Sequence, residues 1–230
     1  MPQAVVMQEL FDKVAWRYDL VNRVLSAGSD KRWRKAVVLE VLRDNPRLVL
    51  DVASGTGDQC LAIEAAKDFK GRVVCTDISW EMLRRGRGKS RRKSAAVLAD
   101  AHRMAMRGGV FDCATICFGV RNFDNIVDGM KEIARVLRPG GKIVVLEFTR
   151  PSHPLVWKAY RWYLTKILPA IGGALSGQTD AYRYLASSIE GFLTPPQLAS
   201  RLESAGFSQV RHRFLSAGIV AITTAIRKEK

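Results

Sequence analysis

Leu48-Val-Leu-Asp-Val-Ala-Ser-Gly-Thr-Gly-Asp58 is the segment whose residue types and spacing could do chemistry. A short apolar run meets an acid and then a loop built on Gly55 and Gly57, as where a buried parallel strand ends over a nucleotide-like ligand. Glycine takes positive φ without penalty and lets backbone approach a ligand closely. About 20 residues past the loop, a second apolar run, Arg72-Val-Val-Cys-Thr76, ends at Asp77, and an acid at that spacing accepts hydrogen bonds from two ribose hydroxyls. The bland alternative is an ordinary strand-to-helix turn, with Asp77 as the N-cap of the next helix.

The loop also discriminates between ligands. A dinucleotide fingerprint needs a third glycine for close helix–strand packing, and Cys60 stands there. A phosphate-cradling Walker loop needs a following Lys, which is absent. Asp58 would repel a pyrophosphate but suits a ligand carrying an amine and a sulfonium, so S-adenosylmethionine fits better than NAD or ATP. The loop residues Ser54, Gly55, Thr56 and Gly57 are the expected cofactor-binding residues of this segment.

The elements that must position these groups are legible in outline. Strand-like runs at Leu48–Val52, Arg72–Thr76, Ala96–Ala99, Cys113–Phe118 and Lys142–Phe148 alternate with helices near Gln59–Phe69, Trp80–Gly86 and Ile126–Leu137. Near-continuous apolar strands separated by helices predict a parallel sheet covered on both faces. Arg138-Pro-Gly-Gly141 is expected to turn the last helix into the fifth strand. Phe11, Val14, Ala15 and Tyr18 share one helical face before the sheet, and Trp33, Val37, Val38 and Val41 share another. Pro195–Ala205 reads as a helix with Thr194 as N-cap, and Ser208–Phe214 with Ile219–Ile226 as a closing antiparallel pair. One domain is expected over residues 1–230, with a helical cap (1–45), a cofactor-binding core (46–150), a helical insertion (151–190) and a C-terminal helix with antiparallel strands (191–230).

Composition bounds the rest. The 230 residues carry a formal charge of +15, which suits nucleic acid or an anionic membrane surface. Its densest cluster, Arg84 to Lys93, lacks the interleaved aromatics of a base-stacking platform. The four cysteines (60, 75, 113, 117) lie on apolar segments and read as buried reduced thiols of a cytosolic protein. Three scattered histidines give no ligand spacing, so no metal site is expected. No signal peptide or spanning helix is read.

Ligands of such a sheet bind at the strands' carboxyl ends. The groups after each strand are therefore expected to line one site: Ser54–Asp58, Asp77, Asp100 with Ala101, Cys117–Asn122 and Glu147. Asp100 and Ala101 stand where an adenine edge is read; a strand-ending turn is the alternative for Asp100. The fourth exit lacks the Pro-Pro-aromatic sequence of amino-methylating enzymes and instead holds Gly119 and the pair Arg121-Asn122.

Nearly end to end, the chain resembles the UbiE/MenG family of quinone-ring C-methyltransferases. The likeness rests on Phe11, Arg17-Tyr-Asp-Leu-Val-Asn22, Ser26-Ala-Gly28, Trp33-Arg34, the loop through Asp58, Phe118-Gly-Val-Arg-Asn122, Val136-Leu-Arg-Pro-Gly-Gly-Lys142, Leu146-Glu-Phe148 and Tyr182-Arg-Tyr-Leu-Ala-Ser-Ser-Ile189. The resemblance implies a Rossmann-like class I methyltransferase of α/β class: a mostly parallel seven-stranded sheet, an N-terminal helical segment and a helical insertion after strand five. It also implies S-adenosyl-L-methionine as cofactor, held through Thr56, Asp77, Asp100 and Ala101, and methylation of a ring carbon of a polyprenylated hydroquinone. The substrate expected is demethylmenaquinol, with the ubiquinone precursor 2-methoxy-6-polyprenyl-1,4-benzoquinol as the alternative. The chain departs from the family at Ser54, usually Gly, at Cys117, usually a cofactor-contacting Ser, and in a shorter, more basic segment between Asp77 and Asp100.

That chemistry needs the ring hydroxyl to ionise, because a neutral hydroquinol carbon is a poor nucleophile. Arg121 is the candidate cation, Asn122 an orienting group, and Tyr18 or Asp19 a proton relay. An ion pair of Arg121 with Asp124 is the structural alternative, as is packing for Tyr18. The mixed aromatic, aliphatic and cationic run Leu155–Leu168 predicts either peripheral binding at the inner face of the membrane from the cytoplasm or a packed substrate pocket. A homodimer is allowed and no specific nucleic-acid partner is expected. Rival classes are a nucleic-acid methyltransferase, a non-catalytic binding subunit and a small-molecule O-methyltransferase.

Overall fold

The structure, a computed structural model, describes residue 12 and residues 18–89 and 94–229. The face expected from Phe11, Val14 and Ala15 and the end of the basic cluster (90–93) lie outside the described residues, as does the Tyr18 side chain. Helices α1 (Tyr18–Leu25) and α2 (Ser29–Leu42) precede the sheet. Then come β1 (Leu48–Val52), α3 (Asp58–Glu64), β2 (Arg72–Asp77), α4 (Trp80–Arg87), β3 (Ala95–Leu98), β4 (Phe111–Cys117), α5 (Ile126–Val136) and β5 (Leu137–Phe148). The insertion is α6 (Pro154–Trp162), a π-helical turn (Tyr163–Ile167), α7 (Leu168–Ser176) and α8 (Thr179–Glu190). It is followed by α9 (Pro195–Ser204), β6 (Phe207–Leu215) and β7 (Val220–Arg227).

Seven strands form one sheet in the order β3-β2-β1-β4-β5-β7-β6. The first five pair in parallel, and β7 pairs antiparallel with both β5 and β6. Alternation along β1 explains the layers. Leu50 and Val52 face a core closed by Met130 and Ile133 of α5 and by Leu198 and Leu202 of α9. Val49 faces the opposite core, closed by Trp33, Val37 and Val41 of α2 and Ile63 of α3. Burial on both faces is why the central strands read as unbroken apolar runs. Edge strand β3 is mostly exposed, so burial does not mark its ends.

A third apolar cluster lies beyond the sheet. Val21 of α1 and Met82 of α4 pack there with Tyr160, Leu164, Leu168, Tyr182 and Ile189 of the insertion. The N-terminal segment and the insertion thus form one cap. Gly172 lets α7 press against α8, since a Cβ there would collide with the Tyr182 ring.

Three expectations are corrected. The Arg138–Gly141 stretch belongs to β5, because Leu137 already pairs with Phe111 and the register slips before Cys113 meets Lys142. Such a bulge accommodates Pro139, which has no N–H for the ladder. Cys60 and Cys75 are joined as a disulfide between α3 and β2; only Cys113 and Cys117 remain thiols, as expected for all four. Folding of neighbouring elements brings the two together, which spacing along the chain does not disclose. Helix α3 also stops at Glu64 rather than Phe69, its continuation tightening into turns at Ala66 and Phe69.

Candidate active site

The site lies where β1 and β4 part, since connections leave β1 toward β2 on one side and enter β4 on the other. Beyond β1 the chain turns through Ala53 (φ 51), Gly55 (φ 57) and Gly57 (φ 79), the last starting α3 from a left-handed conformation. With three left-handed residues in five, the loop sends the Ser54 N–H to the Thr76 carbonyl and the Gly55 N–H to Asp77 at the end of β2. Asp77 ends β2 with one carboxylate oxygen accepting from the Gly55 N–H at 2.8 Å and the other from the Ser79 N–H at 2.9 Å. Burial pushes this carboxyl up, against the pull of the Ser79, Gly55 and Ile78 N–H groups. It is not the cap of α4: Ser79 is, its hydroxyl accepting from the Met82 N–H at 3.1 Å. Asp77 is thus held rigidly in the wall of a groove without a role in ending the helix.

That groove, about 90 Å³, is lined by Gly55, Asp77, Asp100, Ala101, Cys117 and Asn122 among others. It gathers most of the residues expected to bind the cofactor. Asp100 also serves its own turn, accepting from the His102 N–H at 2.8 Å and facing the His102 Nδ1 at 2.8 Å. Burial raises its carboxyl, but these contacts outweigh it and leave it below the usual range. Cys117 is neutral, its thiol pushed up by burial and meeting the Gln59 Oε1 at 3.5 Å. Ser54 Oγ and Gln59 Nε2 are buried with no hydrogen-bond partner among the described residues. Buried donors left unmatched cost free energy, so a ligand with acceptors here would be favoured. A buried carboxylate in the groove wall, a glycine cradle and donors with no partner among the described residues suit S-adenosylmethionine. Thr56 is buried at the loop and donates to Asp19 at 2.6 Å.

Behind the groove opens a cavity of about 640 Å³ between the sheet and the cap. Leu25, Trp33, Leu155, Tyr160, Leu164 and Ile189 are among its walls. Phe118 lines both spaces. The short 3₁₀ turn Val120–Asn122 divides the expected catalytic pair between them: Arg121 faces the cavity and Asn122 the groove. Asn122 Oδ1 accepts from the Tyr184 hydroxyl at 3.2 Å, tying this turn to α8. Arg121 is buried and paired with buried Glu147 at 2.6 Å, so its ionic partner is Glu147 and not Asp124. Phe148 covers the guanidinium at 5.5 Å. Arg121 Nε has no partner among the described residues, and neither has the buried hydroxyl of Tyr160. Sequence reasoning counts Tyr160 only as one aromatic of an amphipathic run; nothing local marks a hydroxyl that folding brings beside a strand exit. Burial pushes that phenol up despite nearby Arg121.

Among the described residues no three His, Cys, Asp or Glu side chains are grouped to hold a metal ion. No described helix is long and apolar enough to cross a membrane.

Sheet order, the glycine loop and the acid ending β2 define a class I S-adenosylmethionine-dependent methyltransferase. Solved structures share this fold: a SAM-dependent methyltransferase from Thermotoga maritima has a TM-score of 0.69 at 16% identity, covering 96% of this chain and 100% of that one. Human N-acetylserotonin methyltransferase in complex with SAM has a TM-score of 0.64 at 15% identity, covering 92% and 56%. Residues 2–227 match the ubiE/COQ5 methyltransferase family, and the chain belongs to it. It is 41% identical to the ubiquinone/menaquinone biosynthesis C-methyltransferase UbiE of Syntrophotalea carbinolica, over 95% of this chain and 92% of that protein. It is also 41% identical to the demethylmenaquinone methyltransferase of Thermus thermophilus, over 93% and 97%.

Proposed function

We propose that this methyltransferase C-methylates the ring of a polyprenylated naphthoquinol, demethylmenaquinol, giving menaquinol. The observation that carries the reading is the roomy apolar cavity, which meets the groove at Phe118 and has in its wall two polar groups, Arg121 Nε and Tyr160 Oη, with no partner among the described residues. About 640 Å³ is ample for a two-ring quinol and the first part of its tail. S-adenosylmethionine, when bound, supplies an electrophilic methyl group.

The chain's own residues prepare the acceptor. A guanidinium is a donor and no base. That of Arg121, held by Glu147, donates from Nε to a ring oxygen and favours the ionised hydroxyl, whose solution pKa is ~10 like that of a phenol. Lowering that pKa by ~2 units is worth roughly 2.7 kcal/mol. Glu147 neutralises part of the cation's field, so the effect rests on directed hydrogen bonding. Tyr160 donates to ring oxygen, and Asn122, fixed by Tyr184, orients the ring face. The ring carbon gains methyl and loses its proton to restore aromaticity; Tyr18 and Asp19 are the candidate relays.

The same reading places the protein peripherally on the inner face of the membrane. Leu155 is 72% exposed and Trp162 60% exposed on the insertion, although their neighbours Tyr160 and Leu164 are core. Lys158, Arg161 and Lys166 lie among them, as on interfacial helices. A homodimer is a separate part of the proposal, read by light scattering. The deciding experiment supplies isotopically labelled S-adenosylmethionine with demethylmenaquinol or with 2-methoxy-6-polyprenyl-1,4-benzoquinol. Mass gain on the naphthoquinol ring supports the reading; gain on the benzoquinol alone, or on neither, overturns it. Flotation with anionic vesicles, reduced by Trp162→Glu, tests the membrane half.

A further inference from the structure

The basic segment after α4 plays no part in the methyl transfer, yet one of its residues reaches the glycine loop. Lys89 Nζ donates to Thr56 Oγ1 at 2.8 Å, pairs with Asp19 at 2.8 Å and pairs with Asp58. One ammonium therefore joins the cap helix α1, the cofactor loop and the start of α3. Two carboxylates and a hydroxyl around a single point are what a primary ammonium takes. Burial raises the Asp58 carboxyl, but Lys89, with Arg34 and Arg23 behind it, outweighs this and keeps it below the usual range.

A second observation beside this cluster points to a ligand. Gln59, adjacent to Asp58, is 1% exposed and its Nε2 has no partner among the described residues. Its Oε1 meets the thiol of Cys117, a residue of the groove wall, at 3.5 Å. A donor seeking an acceptor next to a site that takes an ammonium matches an α-amino acid group, one charge for each.

We propose that Asp19, Thr56 and Asp58 form the subsite for the ammonium of the cofactor's amino acid end, and that Lys89 is its built-in occupant, displaced when cofactor binds. Lys89, Asp19 and Asp58 are each about a quarter to a third exposed, so the internal pairing is weak enough to exchange. Displacement releases Lys89, just beyond the end of α4, from the loop. The inference rests on cofactor use alone and not on the quinol, and binding measurements without any acceptor keep the two apart.

Calorimetry compares S-adenosylhomocysteine with 5′-methylthioadenosine, which lacks the amino acid group. Lys89→Met removes the competitor, so S-adenosylhomocysteine binds about three- to fivefold tighter while methylthioadenosine is unchanged. Unchanged or weaker S-adenosylhomocysteine binding overturns the proposal, as does equal tightening of both. In the unmodified protein, acetylation of Lys89 by an amine-reactive reagent, read by mass spectrometry, rises with S-adenosylhomocysteine and not with methylthioadenosine. No change or a fall with S-adenosylhomocysteine overturns it independently of any variant.

Discussion

The groove and the cavity meet at one phenylalanine and are built on opposite principles. The groove is backbone and short acids at the ends of consecutive parallel strands. The cavity is made of side chains from segments far apart: Trp33 of α2 donates to Ser216 at 2.8 Å across 183 residues, and Tyr163 of the insertion to the Leu25 carbonyl at 2.6 Å across 138. One is specified locally and serves a polar ligand of fixed shape. The other is specified by packing and suits an apolar ligand, for which volume matters more than any single contact.

Changes on the two sides should therefore separate. The largest effect is expected at their boundary: Arg121→Ala lowers kcat about 10²- to 10³-fold, as for loss of a directed donor to developing charge. It leaves S-adenosylhomocysteine affinity within about threefold, a far smaller change than that in kcat. It also strands Glu147 in the interior, so thermal unfolding falls sharply, and Arg121→Lys restores stability before it restores rate. Near-normal turnover of a folded Arg121→Ala protein removes the assignment.

Asp77→Ala tests the groove alone. Two charge-assisted hydrogen bonds to ribose are worth about 1.5–3 kcal/mol each, so S-adenosylhomocysteine binding weakens at least about 10²-fold. The apparent affinity for quinol changes little. Because burial raises this carboxyl, cofactor affinity in the parent protein should fall on acidification starting above the ordinary carboxylate range, as the acceptor becomes protonated. Calorimetry across pH with methylthioadenosine, which keeps the ribose, reads this; a flat profile counts against Asp77 as the acceptor.

Tyr160→Phe tests the cavity alone and gives the smallest change. Losing one neutral hydrogen bond to substrate costs about 1 kcal/mol, roughly fivefold in kcat/KM. Removing a buried hydroxyl with no partner among the described residues should raise stability by a similar amount. Loss of stability instead would mean that the hydroxyl already has a structural partner.

The same contrast explains what the sequence discloses. Strands β1, β2 and β4 are legible to within two residues because burial on both faces leaves an unbroken apolar run, whereas the start of β5 at Leu137 is hidden by the turn-like Arg138-Pro-Gly-Gly141. The groove follows, since Gly55, Gly57 and Asp77 carry their roles in backbone conformation and charge type. Arg121 is legible from its place after β4, but its partner is not: Asp124 is close along the chain, while Glu147 is brought in by parallel pairing of β4 with β5. Tyr160 and Lys89 escape a reading of the sequence because each acts through contacts made only once the cap has folded over the sheet. The Cys60–Cys75 link is of the same kind, a meeting of α3 and β2 that no spacing announces.

Phe118 leaves β4 in a left-handed conformation, φ 63, at which a bulky residue is strained by about 1–3 kcal/mol. Its ring packs on Phe148 at 4.6 Å, and Arg34 lies 5.9 Å from it. Donor and acceptor thus share a single party wall whose position is fixed by an uncomfortable backbone. Enlarging the room on one side takes space from the other, so tail preference and cofactor grip are mechanically yoked and would be tuned in evolution as a pair.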